Sequence, residues 1–218
     1  MNVFEINKES PIVVETFMDS NIYYIDNFYK NPDKLLEYFE ERPLEVHATV
    51  KPYFIPSLNG IHFRDDRHIL MGVDELIPVT NYLQKLCNQE PFYEKNRVVT
   101  NRCTFYRTGF NDYVNNYWCP HFDRGYTGII YLTKGDDDCG TNIYEKLNDS
   151  EDDDPYFLEC FRPWRSKQNW KVIKSLKPKF NRCILFDGKK FRHGMNIIDQ
   201  RYFSGNFRFN QVIFFKQP

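Results

Sequence analysis

The chain reads as a mainly β protein with flanking helices, and three observations carry that expectation. From about residue 98 onward, apolar residues fall in short runs rich in β-branched and aromatic side chains. Gly, Asp, Asn or Pro separates each run from the next. Ahead of them, the first third of the chain mixes short extended pieces with helices. Several short strands with frequent turn signals predict a sandwich or barrel.

Two helices are expected in the N-terminal part. Asn31-Pro32-Asp33 reads as a helix start, with Pro in the first turn and apolar residues following at 35, 36, 38 and 39. A second helix is expected over 73–87, where Leu76, Ile77, Tyr82, Leu83 and Leu86 can share a face and Pro78 falls near the start. Residues 51–68, rich in Pro and Gly, read as loop. Strands are expected over 98–107, 127–133, 141–145, 170–175, 182–187 and 207–216. The acidic stretches 136–138 and 149–154 read as solvated loops.

The whole chain, 1–218, is expected to form a single domain, with N-terminal helical support over 1–97 and a β core over 98–218. A net charge of −1 gives no reason to expect nucleic acid as a partner. The first residues lack the basic start and apolar stretch of a signal peptide, and no apolar run approaches the ~20 residues of a membrane span. A soluble, cytoplasmic protein with no membrane partner is therefore expected. The 6 cysteines include no C-x-x-C pair, so reduced and mostly buried thiols are the expected state.

His121 and Asp123 stand two apart, so at a strand end both side chains can project to the same side while Phe122 points away. A third ligand from a distant strand would complete a two-histidine, one-carboxylate facial triad. Such a triad leaves three coordination positions open and suits Fe(II). His-x-Asp alone is a weak signal, and its surroundings give it weight.

Those surroundings run from Cys103-Thr104-Phe105-Tyr106 through Pro120-His121-Phe122-Asp123 to Gly128-Ile129-Ile130-Tyr131-Leu132. They continue with Cys139-Gly140-Thr141-Asn142-Ile143-Tyr144, then Asn181-Arg182-Cys183-Ile184-Leu185-Phe186-Asp187-Gly188, then His193-Gly194. The last element is Arg208-Phe209-Asn210-Gln211-Val212-Ile213-Phe214-Phe215. In this order the elements resemble the core of the Fe(II)/2-oxoglutarate-dependent oxygenases of the prolyl-hydroxylase type.

The resemblance implies a double-stranded β-helix (a jelly roll) with His121, Asp123 and His193 as iron ligands. It implies 2-oxoglutarate as co-substrate and O2 as oxidant, with ascorbate as a further cofactor to test. Arg208 is assigned to the distal carboxylate of 2-oxoglutarate, a role that suits the bidentate guanidinium. By strand alternation Arg208 shares a side with Asn210 and Val212. Tyr131 is assigned to the same carboxylate and Tyr106 to the pocket lining, although either ring could simply pack the barrel. Two departures stand out. The stretch from His193 to Arg208 is longer than the family's usual spacing, which makes Arg201 the competing anchor. Asn210 replaces the usual Ser or Thr but keeps a hydrogen-bonding side chain.

The implied reaction is oxidation of a protein, peptide or small-molecule substrate with release of succinate and CO2. Related halogenases carry a small residue at the position of Asp123, so the resemblance favours hydroxylation. A cupin-type jelly-roll metalloenzyme that does not use 2-oxoglutarate, and a non-catalytic jelly-roll binding module, are the alternatives. Residues 111–118, with Tyr113, Tyr117 and Trp118, are expected to form a flap near the metal, and the loop holding His62 and Arg64 offers substrate contacts.

Overall fold

The structure is a computed structural model that describes residues 2–41, 45–46, 53–55, 60–62, 65–70, 73–91, 97–102, 113–118, 120–135, 139–148, 164–198 and 208–216. In chain order its elements are β1 (Ile12–Phe17), β2 (Ser20–Ile25), α1 (Pro32–Glu40), β3 (Glu45–Val46), β4 (Tyr53–Ile55), β5 (Gly60–His62), β6 (Asp65–Leu70), α2 (Val73–Cys87), β7 (Glu90–Pro91), β8 (Arg97–Arg102), β9 (Asn116–Trp118), β10 (Tyr126–Tyr131), β11 (Thr141–Lys146), β12 (Trp164–Ser166), β13 (Trp170–Leu176), β14 (Arg182–Asp187), β15 (Arg192–Met195) and β16 (Arg208–Lys216). The protein is mainly β with two helices among the described residues, as expected. Neither helix is long and apolar enough to cross a membrane.

A nine-stranded antiparallel sheet runs in the order β1-β2-β14-β10-β16-β8-β6-β3, with β7 joined to β16. A three-stranded antiparallel sheet runs β13-β11-β15, and β12-β9 and β4-β5 form separate pairs. Alternation along the central strands explains how the layers assemble. Ile130 and Leu132, Cys183 and Leu185, and Ile213 and Phe215 enter one apolar cluster with the helices. Ile129 and Tyr131, with Ile184 and Phe186, enter a second cluster with Ile143 and Leu176 of the smaller sheet. The large sheet thus carries helices on one face and the small sheet on the other.

The helices form where sequence spacing placed them. In α1, Pro32 opens the helix and Asp33 sits in the first turn, where its charge suits the helix dipole. Leu35 and Phe39, one turn apart, are fully buried, and Tyr38 packs edge-on against Phe4 at 5.5 Å. Burial of a ring such as Phe39 contributes about 1.5–3 kcal/mol. In α2, Val79 and Leu83 are buried against the sheet, and Pro78 falls in the second turn. Asn88 (φ 53°) ends α2 in the left-handed conformation, its N–H donating to the Gln84 carbonyl at 2.7 Å.

One local expectation is corrected. Residues 51–68 are not simply loop: β4, β5 and the start of β6 lie there, and β6 pairs along its length with β8. The extended pieces expected in the first third include the β1–β2 hairpin, which joins the large sheet through β2 and β14. Its turn places Met18 (φ 46°) and Asp19 (φ 60°) consecutively in the left-handed region, the geometry of a type I′ turn. The acidic stretches 136–138 and 149–154 lie outside the described residues.

Candidate metal centre

Three segments bring the candidate ligands together. His121 forms an isolated antiparallel bridge with His193 at the start of β15, with His121 N–H to His193 O at 3.0 Å and His193 N–H to His121 O at 2.8 Å. Asp123 is held by its own backbone N–H, which donates to Gly188 O at 2.8 Å, in the turn between β14 and β15. The donor atoms of His121, Asp123 and His193 all lie within 4.8 Å of one another, so the three side chains could hold a metal ion.

The orientation of each group follows from its partners. His193 is 4% exposed and packs edge-on against Phe186 at 4.9 Å. Its Nδ1 lies 2.9 Å from the Phe191 carbonyl, which can only accept, so Nδ1 carries the proton and Nε2 is left to act as a ligand. That Nε2 lies 3.1 Å from Asp123 Oδ2. His121 Nε2 lies 3.9 Å from Asp123 Oδ1, and the two imidazole rings are 4.5 Å apart. Thr127, at the start of β10, donates its hydroxyl hydrogen to Asp123 Oδ2. Burial pushes the Asp123 carboxyl up, but the adjacent His193 and His121 and the Thr127 hydrogen bond outweigh it and hold the group at about 2.

This donor set needs positive charge at its centre. With the Nδ1 proton committed to Phe191, a neutral His193 would aim a lone pair at a carboxylate oxygen 3.1 Å away. A proton or a metal cation relieves that opposition. Metal–ligand bonds of about 2.1 Å at right angles put donors about 3 Å apart, so His193 and Asp123 already have the spacing of adjacent ligands, and His121 needs only to close in.

Gly188 and Thr127 are positioning contacts that sequence reading did not single out. A Cβ on Gly188 would lie 2.5 Å from Thr127 Oγ1 and 2.9 Å from both Asp123 Cβ and Gly125 O. Only glycine lets the β14–β15 turn pass this close to the carboxylate. The contact is non-local, and an Asp-Gly turn has no mark that would reveal it.

The residues expected to bind the co-substrate fall on β10 and β16. Tyr131 is buried, pairs in register with Asn210, and shares a hydrogen bond of 2.9 Å with Thr141 of β11. Asn210 is 4% exposed, and its Oδ1 has no hydrogen-bond partner among the described residues. Arg208 heads β16 opposite Asn101 of β8, and its side chain lies outside what is described. Tyr106, Arg201 and Arg64 lie outside the described residues, as does the His62 side chain.

The expected flap is corrected in part. Residues 113–115 form a short turn, and β9 is a strand paired with β12, in register Trp118↔Trp164. Trp118 is buried, and Tyr117 packs against Tyr144 at 5.0 Å. Among the described cysteines, Cys139 and Cys183 are buried and Cys87 is partly buried, and none is in a disulfide. No protein-family model matches the chain, and no curated protein matches it in sequence.

Proposed function

We propose that this protein is an Fe(II)- and 2-oxoglutarate-dependent oxygenase on a double-stranded β-helix, hydroxylating a protein, peptide or small-molecule substrate. The observation that carries the reading is the convergence of His121, Asp123 and His193, with His193 Nε2 turned toward Asp123 by the Phe191 hydrogen bond at Nδ1. Two imidazoles and one carboxylate on one side of an ion leave three positions open, as non-haem Fe(II) oxygenases require.

Strand order supports the fold. From β8 in the large sheet the chain passes to the His121 bridge beside β15, and back to β10 in the large sheet. It then enters β11 and β13 in the small sheet, returns to β14, crosses to β15 and ends in β16. This alternation, with β8-β16-β10-β14 adjacent in one sheet and β13-β11-β15 in the other, is consistent with a β-sandwich and is what a jelly-roll reading requires.

The polar residues along β10 support the co-substrate. Thr127 and Tyr131 lie on the same side of β10, about 13 Å apart at ~3.3 Å per residue. Thr127 marks the metal end, and Tyr131, Thr141 and Asn210 mark the far end. A dicarboxylate with a keto-acid at one end suits that polarity, and Arg208 is the assigned anchor for its other end.

Bound Fe(II) would supply the coupling of O2 reduction to decarboxylation of 2-oxoglutarate, with one oxygen atom delivered to succinate and one to the substrate. The protein's own part is to fix ligand direction through Phe191 and Thr127, keep Asp123 ionised, and exclude water with Ile129, Ile184 and Phe186.

The test is succinate formation from 2-oxoglutarate in the presence of Fe(II) and O2, with peptide and amino-acid pools as substrates. Turnover is expected for the wild type and absent for His193→Ala; equal turnover in the two would overturn the ligand assignment. Arg208→Ala is expected to raise the KM for 2-oxoglutarate far more than Arg201→Ala. Metal binding without succinate release would favour a cupin-type enzyme instead.

A further inference from the structure

We propose that Arg192 is a positioning residue for the metal centre, stacking on Phe122 and Trp170 to hold the two ligand-bearing segments together on the face away from the ion. This rests on the reading that His121, Asp123 and His193 bind a metal. Phe122 is the residue between His121 and Asp123, and Arg192 is the residue before His193. In extended chain, neighbours of inward-facing ligands face outward, so these two meet behind the site.

The Arg192 guanidinium carbon lies 4.6 Å from the Phe122 ring centroid and 5.1 Å from that of Trp170. Trp170 is buried and opens β13, which pairs with β11, and β11 pairs with β15. The contact therefore ties the His-x-Asp segment to the smaller sheet. The described backbone links from residues 121–123 to the β14–β15 region are the single His121–His193 bridge and the Asp123–Gly188 hydrogen bond. Phe122 itself is 43% exposed, so core burial alone does not explain where its ring sits. A planar guanidinium stacks on ring faces in a way an ammonium does not.

The sign of the expected effect separates positioning from electrostatics. Removing a positive charge near a cation site should strengthen cation binding if charge alone mattered. Loss of positioning should weaken it. The measurement is Co(II) affinity and the Co(II) visible spectrum in full-length wild type, Arg192→Leu, Arg192→Lys, Phe122→Ala and the double variant Arg192→Leu/Phe122→Ala, with thermal unfolding of each metal-free form.

Arg192→Leu and Phe122→Ala are each expected to weaken Co(II) binding about tenfold and shift the spectrum, as lost outer contacts to ligands commonly do. The double variant should be no weaker than Arg192→Leu, because that substitution already removes the contact with Phe122. Arg192→Lys should fall between wild type and Arg192→Leu, and it carries the test if the leucine variant fails to fold. Binding by Arg192→Leu (or by Arg192→Lys, where the leucine variant does not fold) as tight as wild type or tighter would overturn the inference, as would strictly additive losses. If the wild type bound no divalent metal, the metal reading itself would fall; if it bound metal and lost it in His193→Ala, only the role of Arg192 would be in question.

Discussion

Two polar clusters lie on opposite sides of the large sheet, and they solve the same problem differently. On the helix side, Asn181 is 3% exposed, yet its amide is fully engaged with Tyr29: Oδ1 accepts from the Tyr29 N–H at 2.9 Å and Nδ2 donates to the Tyr29 carbonyl at 2.8 Å. The Tyr29 hydroxyl in turn donates to Gln211 Oε1. Every donor there meets an acceptor, and the cluster is complete as built. In the His121–Asp123–His193 cluster, acceptors converge on one another. Only His193 of the second cluster is fully buried, and the opposition there is relieved by a proton or a cation. Complementarity of donors and acceptors, rather than burial of polar groups, separates scaffold from site.

The sharpest way to break that comparison is to disturb the site without touching a ligand. Gly188→Ala is expected to push Asp123 and Thr127 aside and weaken metal binding by at least tenfold, read by Co(II) titration. Unchanged affinity would mean that the turn does not position the carboxylate. On the scaffold side, Asn181→Ala removes both Tyr29 hydrogen bonds and puts alanine at φ 61°. Denaturant unfolding should show a loss of about 3 kcal/mol, with metal affinity unmoved in the fraction that folds.

Thr127→Val tests a smaller contribution at the site. It keeps the side-chain shape but deletes the donor to Asp123, so roughly tenfold weaker metal binding is expected with little loss of thermal stability. A drop in stability without a change in affinity would move Thr127 into the scaffold class. The smallest effect concerns Asp26, whose carboxylate accepts from Arg182 Nη2 at 3.0 Å and is held at about 2, chiefly by its hydrogen bond from Arg182. A carboxyl depressed in the folded state stabilises fully above its ordinary value near 4 and loses that contribution as pH falls toward 2. Because the pair is partly exposed, Arg182→Gln should cost under about 1 kcal/mol near neutral pH and flatten the acid limb of the unfolding curve.

How much of this could be read beforehand depends on whether the signal was local. β10, β11, β13, β14 and β16 announce themselves because alternating apolar residues face two different cores. The same alternation supports reading Tyr131 and Asn210 together, and they pair in register. The β1–β2 hairpin hides because its turn uses Met18-Asp19 where Asn-Gly or Asp-Gly would be the recognisable pair. Strands β4 and β5, a local pair, hide behind the Pro and Gly of 51–68, and the pairing of β6 with β8 is a long-range choice. At the site, His121, Asp123 and His193 were named from spacing and resemblance, and their donor atoms lie within 4.8 Å of one another. Thr127 and Gly188 were not, since their closeness to Asp123 exists only once β10 and the β14–β15 turn meet.

The His121–His193 bridge has a consequence for folding. It closes a large loop that contains β10, β11, β13 and β14, so its two ends meet only after most of the core has formed. A cation held across that junction favours the closed chain and has little purchase on the open one. At a concentration of 100 times its dissociation constant it adds about 2.7 kcal/mol to stability. A metal bound there would make the melting temperature rise with metal concentration and fall on chelation.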